Sequence, residues 1–207
     1  MKEIIKNMLI LFAITLVVGV LLGLVYEITE EPIAVQEEKA KQEAYAEVFA
    51  DAESFEELEF DADALAEYIA SHEEGVDASV AGIVEIVEAL DSSGELLGYV
   101  FTVDSYKGYG GTIEFTVGVT IDGTCNGYSI LSIDETAGLG AKAQTDTEWA
   151  AQFAGVNVSY FTYTKSGSTS DSEVDAISGA TYTTKAMVYG INCAIFAAEY
   201  LNGEVSE

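Results

Sequence analysis

The hydrophobic pattern opens on its longest feature: MLILFAITLVVGVLLGLVY, residues 8–26, nineteen positions without a charge. As a helix rising ~1.5 Å per residue this run spans about 28 Å, the thickness of a bilayer core. It is long for the apolar part of a cleaved leader, and the YEITEEP that follows offers no small-x-small cleavage site. No cysteine near the exit supports lipid attachment. The pattern predicts residues 1–7 before a single transmembrane helix over 8–26.

Beyond it, IAVQEEKAKQEAYAEVFA places apolar residues at roughly helical spacing, and Pro32 sits where a helix can begin. A helical stalk is expected over 32–50. Residues 51–74 are acidic, with Phe55, Leu58, Phe60, Leu65, Tyr68 and Ile69 scattered among the charges. They read as a loop and then a short helix over 62–71, with His72 in solvent behind it. Stalk and acidic entry segment together occupy 27–79.

From residue 80 the period shortens to two. AGIVEIVEAL, LLGYVFTVDS, TIEFTVGVTI and YSILSI are rich in β-branched and aromatic residues and are separated by DSSGE, YKGYGG and DGTCNG. SG and DG are hairpin signals, so these runs predict four strands in an antiparallel meander. A short helix over 149–153, a strand over 160–164 and a closing helix over 183–200 complete an α+β domain over 80–207. The expected fold is a twisted antiparallel sheet with helices packed on it.

Charge narrows the partners. Eight Lys and Arg stand against 36 Asp and Glu, a net charge of -28, and all eight cations are lysines. Nucleic acid is excluded as a partner, because nothing here can neutralise a row of phosphates. Lys2 and Lys6 precede the apolar run while Glu27, Glu30 and Glu31 follow it, which keeps the N-terminus cytoplasmic by the positive-inside rule. The chain then reads as a single-pass protein of the cell membrane with its C-terminal domain extracytoplasmic. One span without an internal charge holds no ion pathway.

One histidine and two cysteines outside CxxC spacing make no zinc site and no Cys-His nucleophile, so neither a metal nor a catalytic residue is assigned. Cys125 and Cys193 are open to two readings, one disulfide or two buried free thiols.

The remaining chemistry concentrates in SGATYTT, residues 178–184, which puts three threonines into four positions ahead of an apolar run. Gly179 permits a tight turn, and a serine or threonine at a helix start caps free backbone N–H groups. The same geometry suits a phosphate, and a hydroxyl there can be esterified to it. In a domain this acidic, a covalent bond keeps an anionic ligand in place against repulsion. Lys107, Lys142, Lys165 and Lys185 fall beside GYGG, GLGA, the serine-rich loop and SGAT. Brought together by the fold, they make a positive pocket.

DAISGAT, residues 175–181, resembles the flavinylation motif of the extracytoplasmic FMN-binding domains. That family holds the G subunit of Rnf ferredoxin:NAD oxidoreductases and the C subunit of sodium-pumping NADH:quinone reductases. The resemblance extends in order over ITEEPIA, KGYGG, VGVTIDG and ETAGLGAKA. It implies FMN joined through its phosphate to Thr181, with Ser178, Gly179 and Ala180 completing the loop and Asp175 opening the segment that a separate flavin transferase recognises. Thr183 and Thr184 are alternative attachment points close by. Thr136 and Leu139, with Gly138 and Gly140 shaping their turn, line the ring site by the same resemblance. Read from the residues alone, Thr136 is a helix cap, Leu139 is core and the two glycines serve the turn. Many members read ETPGLG where this chain has Ala137, which loosens the turn and leaves its glycines.

The resemblance implies a membrane-anchored electron-transfer subunit of an Rnf-type complex, working with other membrane subunits to couple ferredoxin:NAD electron transfer to ion translocation. A flavinylated carrier of an extracellular electron-transfer system is the alternative within the same chemistry. A cofactor-free extracellular binding module is the alternative outside it.

Overall fold

The computed structural model describes residues 1–72, 75–77 and 79–204. Glu73 and Glu74 at the end of the acidic entry segment, Ala78, and the last three residues of the 80–207 domain lie outside the described residues. The chain divides into two compact units, Met1–Gln42 and Glu43–Glu207.

The first unit is helical, and its helix α1 (Lys2–Val48) is long and apolar enough to cross a membrane. Its apolar side chains from Met8 to Tyr26 are all exposed, as a lipid-facing surface requires. Pro32 does not begin a helix, as the sequence suggested, but sits inside α1. A proline removes one N–H donor from the ladder. Helix formers on both sides carry the remaining bonds through.

The second unit is built on six antiparallel strands in sequential order, β1 (Ser54–Glu57), β2 (Ala81–Leu90), β3 (Leu96–Ser105), β4 (Ile113–Thr120), β5 (Thr124–Ser132) and β6 (Val156–Asn157). The expected meander is its centre. β5 starts four residues before the YSILSI run because Asp122 and Gly123 alone make the turn, with Gly123 at φ +84°. Gly127, at φ +109°, absorbs a register shift in which Cys125 still pairs with Val119 and points to the core. β1 forms where a loop was expected, since its backbone pairs with β2 from Ser54 opposite Leu90 to Glu57 opposite Val87.

Both faces of the sheet are covered, which is why β3 and β4 read as near-continuous apolar runs. Helix α5 (Thr181–Glu204) lies on one face, where Met187, Ile191 and Ala194 join Phe101, Val103, Phe115 and Val117 in the main core. Burying each such side chain contributes roughly 1.5–3 kcal/mol. Gly190 makes the approach possible, because a Cβ there would strike the Phe115 ring. Tyr45, Val48 and Phe49 cover Val87, Ala89 and Val100 on the opposite face. Gly98 and Gly118 leave room for Phe49 and Val48.

Helix α2 (Ala62–Ala70) is capped by the Asp61 carboxylate, which accepts from the N–H groups of Asp63 and Ala64 at 3.1 Å each. His72 after it is not in solvent, contrary to expectation: half-buried, it stacks on Phe196 with ring centroids 4.0 Å apart. Between β5 and the closing helix lie α3 (Lys142–Thr145), α4 (Thr147–Ala150) and a 3-10 turn (Ala151–Phe153). A parallel pair follows, β7 (Thr162–Thr164) with β8 (Glu173–Asp175). Asn192, fully buried in α5, accepts from Phe161 N at 2.7 Å and donates to Phe161 O at 2.9 Å and to Gly75 O, fastening the start of β7 to the helix. Cys125 and Cys193 are buried free thiols.

Candidate functional site

Three loops converge at the N-terminus of α5. The first, residues 107–111, joins β3 to β4; the second, 134–141, joins β5 to α3; the third, 176–180, leads from β8 into the helix. Glu135 ties the first two together, its carboxylate accepting from Tyr109 N at 2.6 Å and Gly110 N at 3.3 Å. Glycine is required at this junction: a Cβ on Gly110 would run into the Asp134 carbonyl, and one on Gly108 would meet the Glu135 carboxylate. The second loop closes on itself through Leu139 N and Ala141 N, which donate to Thr136 O at 3.1 and 3.2 Å, with Gly138 at φ +76°. It meets the third where Leu139 Cδ2 lies 3.1 Å from the position a Cβ of Gly179 would take.

Between the loops opens a cavity of about 480 Å³, lined by Tyr109, Glu135, Thr136, Leu139, Gly140 and residues 179–183. That volume is in the range of small-molecule sites, roughly 300–1,000 Å³. Among the described residues after position 42, six large apolar side chains are exposed, and three of them, Tyr109, Leu139 and Tyr182, stand on this cavity. Exposed apolar surface gathered in a concave site fits a flat, partly apolar ligand. A second cavity of about 250 Å³ adjoins, lined by Lys165, Ala176, Ile177, Ser178, Gly179 and Thr181. Gly179 and Thr181 are common to both.

The hydroxyls of the threonine cluster divide their tasks. Thr184 folds back on its own turn, donating from Oγ1 to Ala180 O and accepting from Ile177 N, both at 3.0 Å. Helix entry is thus fixed from inside the helix, and the hydroxyls of Ser178 and Thr181 make no hydrogen bond among the described residues. This departs from the plain capping role the sequence allowed. Thr181 is half-buried in the first turn of the helix, where unpaired backbone N–H groups and the helix dipole favour an anion. Thr183 is fully buried against Gly140, and its Oγ1 has no partner among the described residues. An orphaned hydroxyl lining a cavity is a seat for a polar ligand atom.

Of the residues singled out in the sequence, Thr136, Leu139, Gly140, Gly179, Ala180 and Thr181 line the larger cavity, while Ser178 lines the smaller. Gly138 serves the turn. Asp175 stands outside both: its carboxylate accepts from Ser168 N at 2.7 Å, and its backbone is held by Gln152 and by the Trp149 indole. The four lysines do not gather in one pocket. Lys165 lines the smaller cavity, whereas Lys107 and Lys185 act on Asp77, whose carboxyl is held below its usual range by Ser79 first and by these two cations in addition. Glu135 and Tyr109 carry site geometry to which the sequence alone assigned no role, and Thr183, named there only as an alternative attachment point, is buried with its hydroxyl unbonded among the described residues. The glycine spacing of KGYGG signals close backbone approach, but not to what.

The residues present fit FMN: a cavity of sufficient volume, an unpartnered buried hydroxyl, apolar walls and a free threonine hydroxyl at a helix N-terminus. Comparison with known proteins agrees. The family model described as an FMN-binding domain matches residues 108–195, a stretch that contains every residue lining the larger cavity. A model of the RnfG N-terminal region matches residues 1–48. The G subunit of the Na(+)-translocating ferredoxin:NAD(+) oxidoreductase complex of Acetobacterium woodii is 31% identical over 201 residues, covering 94% of this chain and 91% of that one. The G subunit of the ion-translocating oxidoreductase complex of Methanosarcina acetivorans is 31% identical over 195 residues, with 94% of each covered. The crystal structure of Shewanella oneidensis NqrC shares the fold, with a TM-score of 0.52 and 18% identity over 78% of this chain and 88% of that one.

Proposed function

The chain belongs to the family of G subunits of Rnf-type ion-translocating oxidoreductase complexes, and from that membership we propose that it is a membrane-anchored electron-transfer subunit whose outer domain carries FMN esterified to Thr181. The observation that carries this reading is the position of Thr181. Thr181 lines both cavities, and Thr184 makes the side-chain bonds that fix the helix entry. Ester formation joins Thr181 Oγ1 to phosphorus and, counted overall, removes one water from hydroxyl and phosphate. A separate flavin transferase supplies the activated flavin, and the exposed Asp175 segment is what it grips.

FMN, once bound, takes up and releases electrons singly or in pairs. The chain's own residues hold it. Leu139 and Tyr109, exposed on the cavity, would supply apolar contact to the ring, the unpartnered Thr183 hydroxyl would be available to one of its polar atoms, and Glu135 ties the two loops together. As a subunit of such a complex the domain relays electrons, and the other membrane subunits supply donor, acceptor and ion path. Lys2 and Lys6 hold the N-terminus in the cytoplasm and leave the domain outside.

The test is coexpression of the full chain with a flavin transferase, then in-gel ultraviolet fluorescence and peptide mass spectrometry. The peptide with Thr181 gains the mass of FMN less one water. Thr181→Val abolishes the band and changes stability by less than about 0.5 kcal/mol, since that hydroxyl makes no hydrogen bond among the described residues. A Val variant that stays fluorescent after denaturation moves the attachment elsewhere. A dark wild-type protein refutes it altogether.

A further inference from the structure

One charged residue, the exposed Lys165, lines the smaller cavity. Lys165 directly follows β7, and the parallel pairing of β7 with β8 carries it alongside the segment that leads into α5, where Ala176 N donates to Thr164 O at 2.7 Å. Residues 43–207 hold thirty Asp and Glu and four Lys, Lys165 among them. In such surroundings a lysine ordinarily finds a carboxylate. Lys165 makes no hydrogen bond or ion pair among the described residues, whereas Lys107 and Lys185 are within electrostatic reach of Asp77. Its cavity also presents the unbonded Ser178 hydroxyl and Thr181 itself.

We propose that Lys165, with Ser178 beside it, is the seat of the phosphate, so that FMN is divided between two cavities, its ring in the larger and its phosphate in the smaller. This rests on the reading of Thr181 above. A phosphodiester keeps one negative charge throughout the physiological range, and in a domain this acidic it needs a cation that no carboxylate has already claimed. Lys165 meets that need at the point where the ester forms. The Thr183 hydroxyl, fully buried and unpartnered, marks the other side of the same threonine as the place for polar atoms further along the ligand.

The experiment separates phosphate from ring. In the full chain carrying Thr181→Val, which cannot form the ester, FMN and riboflavin are titrated with and without a second change at Lys165. Lys165→Gln weakens FMN roughly three- to tenfold and leaves riboflavin unchanged. Lys165→Arg retains FMN, and Lys39→Gln, the same loss of charge in the other unit, alters neither. In the flavinylated protein the phosphorus NMR resonance of the ester moves in Lys165→Gln and stays in Lys39→Gln. This second arm decides alone if the Val variant binds neither ligand. Equal weakening of FMN and riboflavin, or an unmoved resonance, overturns the assignment of Lys165 while the flavin on Thr181 stands. A wild-type chain without flavin overturns both.

Discussion

Thr183 follows Thr181 by two positions, and at 100° per residue the two side chains leave the helix on nearly opposite sides. One therefore faces outward to the shared edge of the cavities, and the other is fully buried with an unbonded hydroxyl. That hydroxyl costs the flavin-free domain stability, since it has left water without finding a partner. Thr183→Val is expected to raise the unfolding free energy of the flavin-free protein by about 1 kcal/mol, read from urea denaturation, and to weaken FMN binding. Opposite signs identify a ligand-directed group. A loss in both assays assigns Thr183 to the protein's own bonding instead. The thiols belong to the other category, spectators in a redox protein. Burial pushes both Cys125 and Cys193 up to about 12, so neither is a thiolate near neutral pH. Their sequence spacing left a disulfide open; the fold puts one on β5 and the other in α5, unjoined.

At the scale of elements, what was legible depended on how much of an element's reason lies within it. β2 to β5 were legible because each carries its own apolar run and ends at its own turn residues. β1 was not, since SFEE exposes three of its four residues and exists as a strand only through its bonds to β2. β6 and β8 are two and three residues long, below any periodicity. The start of α5 was placed two residues late because its cap is Thr184 reaching backward, a device that looks like helix interior in a sequence. Asn192 was invisible for the same reason: amid an apolar run it reads as an interruption, yet it satisfies both backbone groups of Phe161. Asn192→Leu leaves a buried N–H and a buried C=O without partners, and a loss of about 2–3 kcal/mol in thermal or urea unfolding is expected. A change below about 0.5 kcal/mol shows that water replaces the side chain and that the clamp is not structural.

At the scale of the whole molecule, one sign of charge dominates. Residues 43–207 carry 4 Lys and 30 acidic groups, a balance of -26, and of those four lysines Lys165 lines the smaller cavity. Such a domain repels dissolved anionic cofactors, and the proposed covalent flavin with a local cation would stay in place against that repulsion and against dilution outside the cell. Dilution threatens a dissociable flavin only if the domain is outside. The buried thiols make that testable, because they give no background to a thiol reagent in the folded protein. Ser92→Cys, in the exposed turn between β2 and β3, is expected to react with a membrane-impermeant maleimide on intact cells, and Glu3→Cys only after lysis. The reverse pattern places the domain in the cytoplasm, where retention against dilution no longer explains a covalent tether.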